Sequence, residues 1–366
     1  MALKIRPARH YQRRDDPLRA IADYGIRVVR KPLKEAMRHL SDLVDEDKIV
    51  HLIKIGFVSR VADSIDWPHY REVLKAPFDK IGLVREAAQA LGVRKINGSF
   101  AAKQRAVRFR KMDIAPGEFE RWASNVVPIS KDIGWRFNFD RFDQATQEKI
   151  RLAQDELIKE LEATARDNID AIVLSGVQSG ASIEEIASDI REMISLTATQ
   201  SQAVINYRRM LENLDAGAFQ RQLRNEEYDA EIQSAIDSGE QLAAERVDDM
   251  VNDYVENYLD YRAATIAQTE ATRASNEGLQ DAYQQAIDRG ALPAEAVMQQ
   301  WQVSLDERTC EVCLSIPDMN PDGVAIGESF DSIDGAMDAP PDPHPNCRCS
   351  LDIVTNLDLV PDDEGP

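Results

Sequence analysis

The four cysteines of this 366-residue chain all lie in one C-terminal stretch, where they form two close pairs. Two residues separate Cys310 from Cys313, one residue separates Cys347 from Cys349, and His344 precedes the second pair. Structural zinc prefers cysteine sulfur and histidine nitrogen, usually delivered as two short-spaced pairs from separate turns. The sequence therefore predicts a structural zinc site at which these five donors compete for four tetrahedral positions.

The residues between the two pairs are rich in glycine, proline, aspartate and asparagine, so they can build little apolar core. A bound metal would substitute for that core. Reduced cysteines without a metal and a disulfide stay open as alternatives, because the second pair is Cys-x-Cys rather than Cys-x-x-Cys. A catalytic zinc is disfavoured, since the sequence has no His-Glu-x-x-His motif.

The composition is that of an ordinary globular protein, with 43% apolar and 30% charged residues. The longest apolar runs, such as "AIVL" at 171–174, are too short to cross a bilayer, so no membrane association is predicted. The N-terminal stretch "MALKIRPARHYQRRDD" lacks the apolar segment of a secretory signal. We therefore expect a reducing, cytoplasmic environment, in which structural disulfides are rare.

Most of the chain has the spacing of apolar residues that is typical of helices. Residues 1–138 are predicted to form a basic, mostly helical region that is interrupted at the prolines of "WPHY" and "APFD". A long amphipathic helix comes next and is predicted to end near Gly176, after which Ser182 and Glu185 have the spacing of a capping box. The longest helical pattern runs through residues 243–290.

Beyond residue 300 the pattern changes, because "WQVSLD" alternates like a short strand and turn-forming residues dominate the stretch after it. The predicted fold class is therefore mainly α, with an α+β C-terminus. It comprises a helical N-terminal part, helical hairpins, and a small loop-rich module with strands and a zinc knuckle. The predicted limits are 1–138 for the basic region, 139–350 for the second domain, about 300–353 for the cysteine module within it, and 354–366 for an acidic disordered tail.

Charge is divided unevenly along the chain, whose net charge is −20. Residues 1–112 carry a net charge of +12, and the remainder carries −32. One run, at 94–111, has seven basic residues, no acidic residue and two phenylalanines. Basic residues with interleaved aromatics can bind a nucleic-acid backbone, but they also occur at protein interfaces. The candidate contact residues are Arg94, Lys95, Lys103, Arg105, Arg108, Arg110 and Lys111.

Three stretches occur in order in the C-terminal half: "YRAATIAQTEATRASNEG", "WQVSLDERTCEVC" and "PPDPHPNCRC". Together they resemble the Mu F-like phage head morphogenesis family, whose members are also called minor head proteins. The resemblance covers roughly the C-terminal half, and residues 1–140 carry no motif of the family. Besides the cysteines and His344, the motif residues that we single out are Arg262, Thr269, Glu270, Asn276, Trp301, Asp306, Arg308 and Arg348.

The resemblance implies a virion component, present in a few copies inside the capsid at or near the portal and needed for head assembly, DNA packaging or ejection. During assembly such a protein would be in the host cytoplasm. The implied partners are the portal protein and other head proteins, and the basic run is the candidate contact to the portal or to packaged DNA. No catalytic constellation accompanies the motifs, so we expect that the protein is not an enzyme.

Within this interpretation the motif residues have a structural role. Glu270 would be costly to bury without a partner, so we expect a pairing that links its helix to the cysteine segment. Arg308 and Arg348 flank the cysteine pairs and are the expected partners, because a guanidinium group can bridge two elements.

Two other classes of function stay open. A zinc-stabilised nucleic-acid-binding protein would depend on the basic run and on the cysteine pairs. A cysteine hydrolase or a toxin carried on a head domain would need a second cluster of catalytic residues, and His344 close to Cys347 is its main support in the sequence.

Overall fold

A computed structural model describes residues 16–109, 137, 140, 143–304 and 308–360. Contacts within the chain divide it into two compact units, each assembled from separate segments. Unit 1 comprises Met1–Gly25, Ile81–Gln147 and Gln268–Pro366, and unit 2 comprises Ile26–Lys80 and Glu148–Ala267. The predicted limit between residues 138 and 139 lies outside the described residues, so that boundary stays a prediction.

Helices dominate both units, which confirms the predicted fold class. The helices are α1 (Pro17–His39), α2 (Glu46–Lys54), α3 (Trp67–Phe109), α4 (Gln144–Ser179), α5 (Ile183–Met193), α6 (Ala198–Glu212), α7 (Asp229–Ser238), α8 (Ala244–Asp288) and α9 (Glu311–Met319). Short 3-10 turns connect several of them.

The strands of the described chain lie in unit 1, around and after the cysteine segment. They are β1 (Val297–Gln302), β2 (Val324–Ala325), β3 (Phe330–Ser332), β4 (Gly335–Met337) and β5 (Ser350–Thr355). β1 is central in an antiparallel sheet of order β2–β1–β5, in which Trp301 is opposite Leu351. β3 and β4 form a separate antiparallel hairpin. The predicted strand at "WQVSLD" is thus confirmed in its first two residues, and it starts earlier, at Val297.

The turn between α4 and α5 confirms one sequence prediction and corrects another. Ser182 accepts a hydrogen bond from the N–H of Glu185, and the Glu185 side chain bonds back, so the capping box is present. α4 ends at Ser179 rather than near Gly176, because Gly180 adopts the left-handed conformation (φ 74°) that closes it. Gly176 serves packing instead, since a Cβ there would lie 2.4 Å from a side-chain carbon of Ile186.

The predicted interruption at "APFD" is wrong, whereas the one at "WPHY" is correct. α3 begins at Trp67, so Pro68 occupies its first turn, where a missing N–H costs little. Pro77 lies inside the same helix. Leu74 and Phe78 on either side of it are buried in unit 2, and their packing offsets the backbone hydrogen bond that proline removes.

The core of unit 1 brings together parts of the chain that are far apart in sequence. Leu91 and Ile96 of α3, Leu279 and Tyr283 of α8, and Ile353 of β5 belong to one buried cluster. This cluster fixes the sheet against the end of α8, the helix that also supports the cysteine segment.

The acidic tail predicted for residues 354–366 starts later than expected. β5 continues to Thr355, and the N–H of Asn356 donates to the carbonyl of Ala296 at 2.7 Å. Val360 is buried in the unit 1 core. Residues 354–360 are therefore part of the folded unit, because β1 and the core offer them partners, and residues 361–366 lie outside the described chain.

Candidate metal centre

Two elements of unit 1 present the five candidate donors. Cys310 is the N-cap of α9, and its sulfur accepts the N–H of Cys313, one helical turn later, at 3.4 Å. His344, Cys347 and Cys349 lie on the loop that leads into β5.

The donor atoms form two triads that share Cys313. One triad is Cys310, Cys313 and His344, the other is Cys313, Cys347 and Cys349, and within each triad the ligand atoms lie within 4.8 Å of one another. The sulfur of Cys313 is 3.8 Å from that of Cys347 and 3.7 Å from Nε2 of His344. A zinc–sulfur bond of about 2.3 Å places two sulfurs of a tetrahedral site about 3.8 Å apart, so these distances fit zinc.

The hydrogen bond of the His344 ring also fits a metal ligand. Its Nδ1 lies 2.8 Å from the carbonyl oxygen of Pro345, which can only accept a hydrogen bond. The proton of the neutral ring is therefore on Nδ1, and Nε2 offers its lone pair towards Cys313. A metal-bound histidine usually has this arrangement, in which the second ring nitrogen donates to a carbonyl or carboxylate.

The centre is buried within a small apolar cluster. Cys313, Cys347 and Cys349 are buried, and they pack with residues that include Trp301 and Phe330. The two aromatic rings meet edge to face, with centroids 5.5 Å apart. These thiols are thus shielded from solvent, which suits a structural metal site better than an open catalytic one.

Burial and mutual hydrogen bonds shift the pKa values of the buried thiols in opposite directions. Hydrogen bonds first from Cys313 and then from Cys347 lower the pKa of Cys349 to about 3. Hydrogen bonds to Cys347 and Cys349, together with burial, raise the pKa of Cys313. A divalent cation would remove this conflict, because a coordinating thiol is deprotonated by the metal.

Two motif residues of α8 hold the loop that carries the second cysteine pair. The hydroxyl of Thr269 accepts the N–H of Asn346 at 3.0 Å. Asn276 donates to the carbonyl of Pro340 and accepts the N–H of Leu351, both at 2.9 Å. The predicted architectural role of Thr269 and Asn276 therefore has a physical basis: their side chains satisfy backbone groups on both sides of the cysteines.

Sequence reasoning missed two further contacts from the same helix. Thr272 and Gln268 donate to the carbonyl of Cys347 at 3.4 and 3.5 Å. The signal in the sequence was the four-residue spacing of polar side chains at 268, 272 and 276, which puts them on one face of α8.

It also missed a link to the start of the described chain. The carbonyl of Arg348 accepts a hydrogen bond from Arg19 at 3.0 Å, and Ser350 donates to Asp16 at 2.8 Å. No local pattern signals these bonds, because 329 and 334 residues separate the partners.

Glu270 is largely enclosed, with 14% of its side chain exposed, and it pairs with Arg273 at 3.3 Å. The predicted pairing with Arg308 or Arg348 stays a prediction. Arg308 is exposed and Arg348 is half-buried. Trp301 is buried in the centre's apolar cluster, and Asp306 lies outside the described residues.

Arg262, the first motif residue of α8, belongs to unit 2. It is buried, and burial lowers the pKa of its guanidinium, whereas the neighbouring Tyr70 acts in the opposite direction. Its Nη1 has no hydrogen-bond partner among the described residues. It therefore does not share the site that Thr269 and Asn276 build in unit 1.

The basic run is described only in part. Arg94 is exposed on α3, but Lys95 forms an ion pair with Asp352 of β5, so Lys95 is used within unit 1 rather than being free for a partner. Lys103, Arg105 and Arg108 lie in α3, but the structure does not describe their side chains. Arg110 and Lys111 lie outside the described residues.

No described helix combines the length and apolar character that crossing a bilayer requires.

A family model described as Phage Mu protein F like protein matches residues 167–352. No curated protein and no solved structure gives a significant match to the chain. The matched range contains the polar face of α8, both cysteine pairs and the first half of β5. Because the match covers half of the chain and includes the residues that build the centre, the chain belongs to the Phage Mu protein F like family.

Proposed function

We propose that the chain is a minor head protein of a bacteriophage that acts in capsid assembly. It is a virion component, held inside the capsid at or near the portal, and it is made in the host cytoplasm. Its partners are the portal protein and other head proteins, and it takes part in head assembly, DNA packaging or ejection. The family match over residues 167–352 carries this proposal.

The role is structural rather than enzymatic. The buried sulfurs of Cys313, Cys347 and Cys349 pack with Trp301 and Phe330, which is the environment of a folding site. The contacts that Thr269 and Asn276 of α8 make to this segment go to backbone groups, which is the chemistry of positioning a chain.

The cofactor is one structural zinc ion. Cys313 belongs to both triads and is the proposed central ligand, with three of Cys310, His344, Cys347 and Cys349 completing the site. Bound zinc would cross-link the first turn of α9 to the loop before β5. That cross-link substitutes for the apolar core that this polar segment lacks.

The exposed Arg94 and the basic residues after it are the proposed contact to the portal. The excess positive charge of residues 1–112 would speed association with an acidic protein surface, and the acidic remainder would be repelled by DNA. Contact to packaged DNA is the weaker alternative, because Lys95 already has an internal carboxylate partner.

The test is a phage in which the gene for this chain is deleted and resupplied with a tag. We expect the tagged chain in purified virions, localised to one vertex, and a strong loss of infectious particles without it. Virions that lack the chain and a deletion that leaves the yield of infectious particles unchanged would overturn the proposal.

A further inference from the structure

The outer side of the cysteine module exposes apolar side chains on rigid elements. Leu314 and Met319 of α9 are 44% and 46% exposed, and Ile333, in the turn between β3 and β4, is 62% exposed. Single exposed apolar residues are common, but a cluster with a polar rim is typical of an interaction site. The hairpin and α9 pack on each other, so the three side chains belong to one region of the surface.

Backbone hydrogen bonds hold this region in place. The N–H of Ile333 donates to the hydroxyl of Ser315 at 3.2 Å, which fixes the hairpin turn beside α9. Asn320, at the end of α9, bonds both the N–H and the carbonyl of Asp331, at 3.0 and 2.8 Å. The exposed side chains therefore project from a fixed backbone. Binding of a partner would cost this chain little conformational entropy, because its side of the interface is already ordered.

The two elements that carry these apolar side chains also carry exposed carboxylates. The four exposed acids on α9 and the hairpin are Glu311, Asp318, Asp331 and Asp334. None of them forms an ion pair with any residue in the described part of the chain. We call the surface formed by these acids with Leu314, Met319 and Ile333 the acidic-apolar face.

We propose that the acidic-apolar face docks a basic segment of another head protein, one that carries apolar side chains between its lysines and arginines. Charge complementarity selects this occupant, because unpaired carboxylates around an apolar centre favour a partner with the opposite charge and an apolar contact. The inference depends on the proposed head function and adds the surface and the chemistry of the partner.

DNA is not the occupant, since its phosphates would meet four carboxylates without an intervening cation. A second copy of this chain is disfavoured as an occupant that uses the same face, because two acidic rims would repel each other. Three apolar side chains form a small contact, so the interaction is of modest strength on its own.

The experiment uses the full-length chain and, as the probe, heads assembled from the same phage's genes without this chain. Co-sedimentation measures binding of the wild type, of Ile333→Ser, and of the double variant Asp318→Asn with Asp334→Asn. The matched control is Leu174→Ser, because Leu174 of α4 is 58% exposed and belongs to unit 2. Circular dichroism and thermal unfolding verify that each variant is folded.

We expect Ile333→Ser to weaken binding at least tenfold and the control to bind like the wild type. The double variant should bind more weakly at low salt and approach the wild type at about 1 M salt, where charges are screened over about 3 Å. Equal binding by Ile333→Ser and the wild type overturns the inference. A change in the sedimentation of the isolated chain, with head binding unaltered, overturns it in favour of a second copy. If the wild type does not bind the heads, the proposed function fails instead.

Discussion

Asn276 uses both ends of its side-chain amide to hold backbone on either side of the cysteine loop. It is fully buried in α8, and its partners, Pro340 and Leu351, lie 64 and 75 residues away in sequence. The motif marks the residue as special, but the sequence does not identify its partners, because nothing local to α8 depends on them. Only the folded chain brings these backbone groups together.

Replacing Asn276 by leucine removes both hydrogen bonds and leaves two backbone groups without partners. We expect Asn276→Leu to lower the free energy of unfolding by about 3 kcal/mol, as two lost hydrogen bonds at a buried site do. Chemical denaturation of the full chain measures this. The control is Asn257→Leu on the same helix, whose single bond to the Leu223 carbonyl is exposed and should contribute under about 1 kcal/mol. Equal effects of the two changes would contradict the interpretation of Asn276.

Zinc content tests the shared position of Cys313 in the two triads. The chain purified without chelator should contain one zinc by elemental analysis, and Cys313→Ser should contain none, because Cys313 is the donor that joins the two triads. Comparing Cys310→Ser, His344→Ala, Cys347→Ser and Cys349→Ser then identifies the donor that is not a ligand, since only that variant keeps the zinc affinity of the wild type. A metal-free wild type with four free thiols would refute the site.

Asp189 of α5 gives a prediction about pH. Burial, followed by the nearby Glu192 carboxylate, raises the pKa of Asp189 to about 6, and Glu185 acts in the same direction. Arg208 and Arg209 oppose the shift. The folded chain therefore binds more protons than the unfolded chain between about pH 4 and pH 6. This contribution to stability is fully present below about pH 4 and is lost as the pH rises through 6.

Asp189→Asn removes the carboxyl group whose ionisation destabilises the folded chain. It should therefore raise the free energy of unfolding at pH 7 by up to about 2 kcal/mol, with a smaller effect at pH 4. Urea unfolding at both pH values provides the measurement. Asp170→Asn is the matched control, because Asp170 is exposed on α4 of the same unit. A gain that is the same at pH 4 and pH 7 would show that the carboxyl group of Asp189 is not the cause.

At the scale of the elements, local signals predicted helices well and their limits less well. The capping box at Ser182 depends on atoms three residues apart, so the sequence contains all of it. The continuation of α3 through Pro77 depends on the burial of Leu74 and Phe78 against other helices. Local propensity disfavours that outcome, and tertiary packing overrides it.

The close contact of α8 with α3 in unit 1 gives a prediction in which packing outweighs helix propensity. A Cβ on Gly278 would lie 2.4 Å from the backbone carbonyl oxygen of Arg85, which cannot move without its helix. Gly278→Ala should therefore destabilise the chain by about 2 kcal/mol, although alanine is the better helix former.

The control is Gly98→Ala in α3, where no atom lies within 4 Å of the added carbon. Alanine there should raise stability by about 0.5 to 1 kcal/mol. Thermal unfolding of both variants gives the comparison. A stabilising Gly278→Ala would show that α3 and α8 do not pack as closely as described.

At the scale of the whole molecule, the sequence predicted the helical class, the strands after residue 300 and the grouping of all five donors. It could not predict that unit 1 is assembled from three separate segments, because hydrophobic periodicity assigns elements and not their neighbours. The acidic tail illustrates the limit. The sequence predicts residues 354–360 as part of that tail, yet β1 and the core give them partners.

If zinc stabilises the module, removing it should be visible in the unfolding of the full chain. Treatment with a chelator should lower the midpoint of thermal unfolding by several degrees, since binding energy to the folded state adds to stability. The Cys313→Ser variant should start at the lower midpoint and show no further change with chelator. A wild-type midpoint that chelator leaves unaltered would mean that the metal contributes nothing to the fold.

The bonds from Asp16 and Arg19 to the segment at Arg348 and Ser350 have a consequence for synthesis on the ribosome. The first residues of α1 must wait until more than 300 others have been translated before their partners emerge. The polar face of α8 is also translated long before Cys347, so its hydrogen bonds to the cysteine loop form with a similar delay. These contacts of unit 1 therefore form only after residues 348 and 350 have emerged from the ribosome. If the centre binds zinc as proposed, the full set of candidate ligands is present only after Cys347 and Cys349 have emerged.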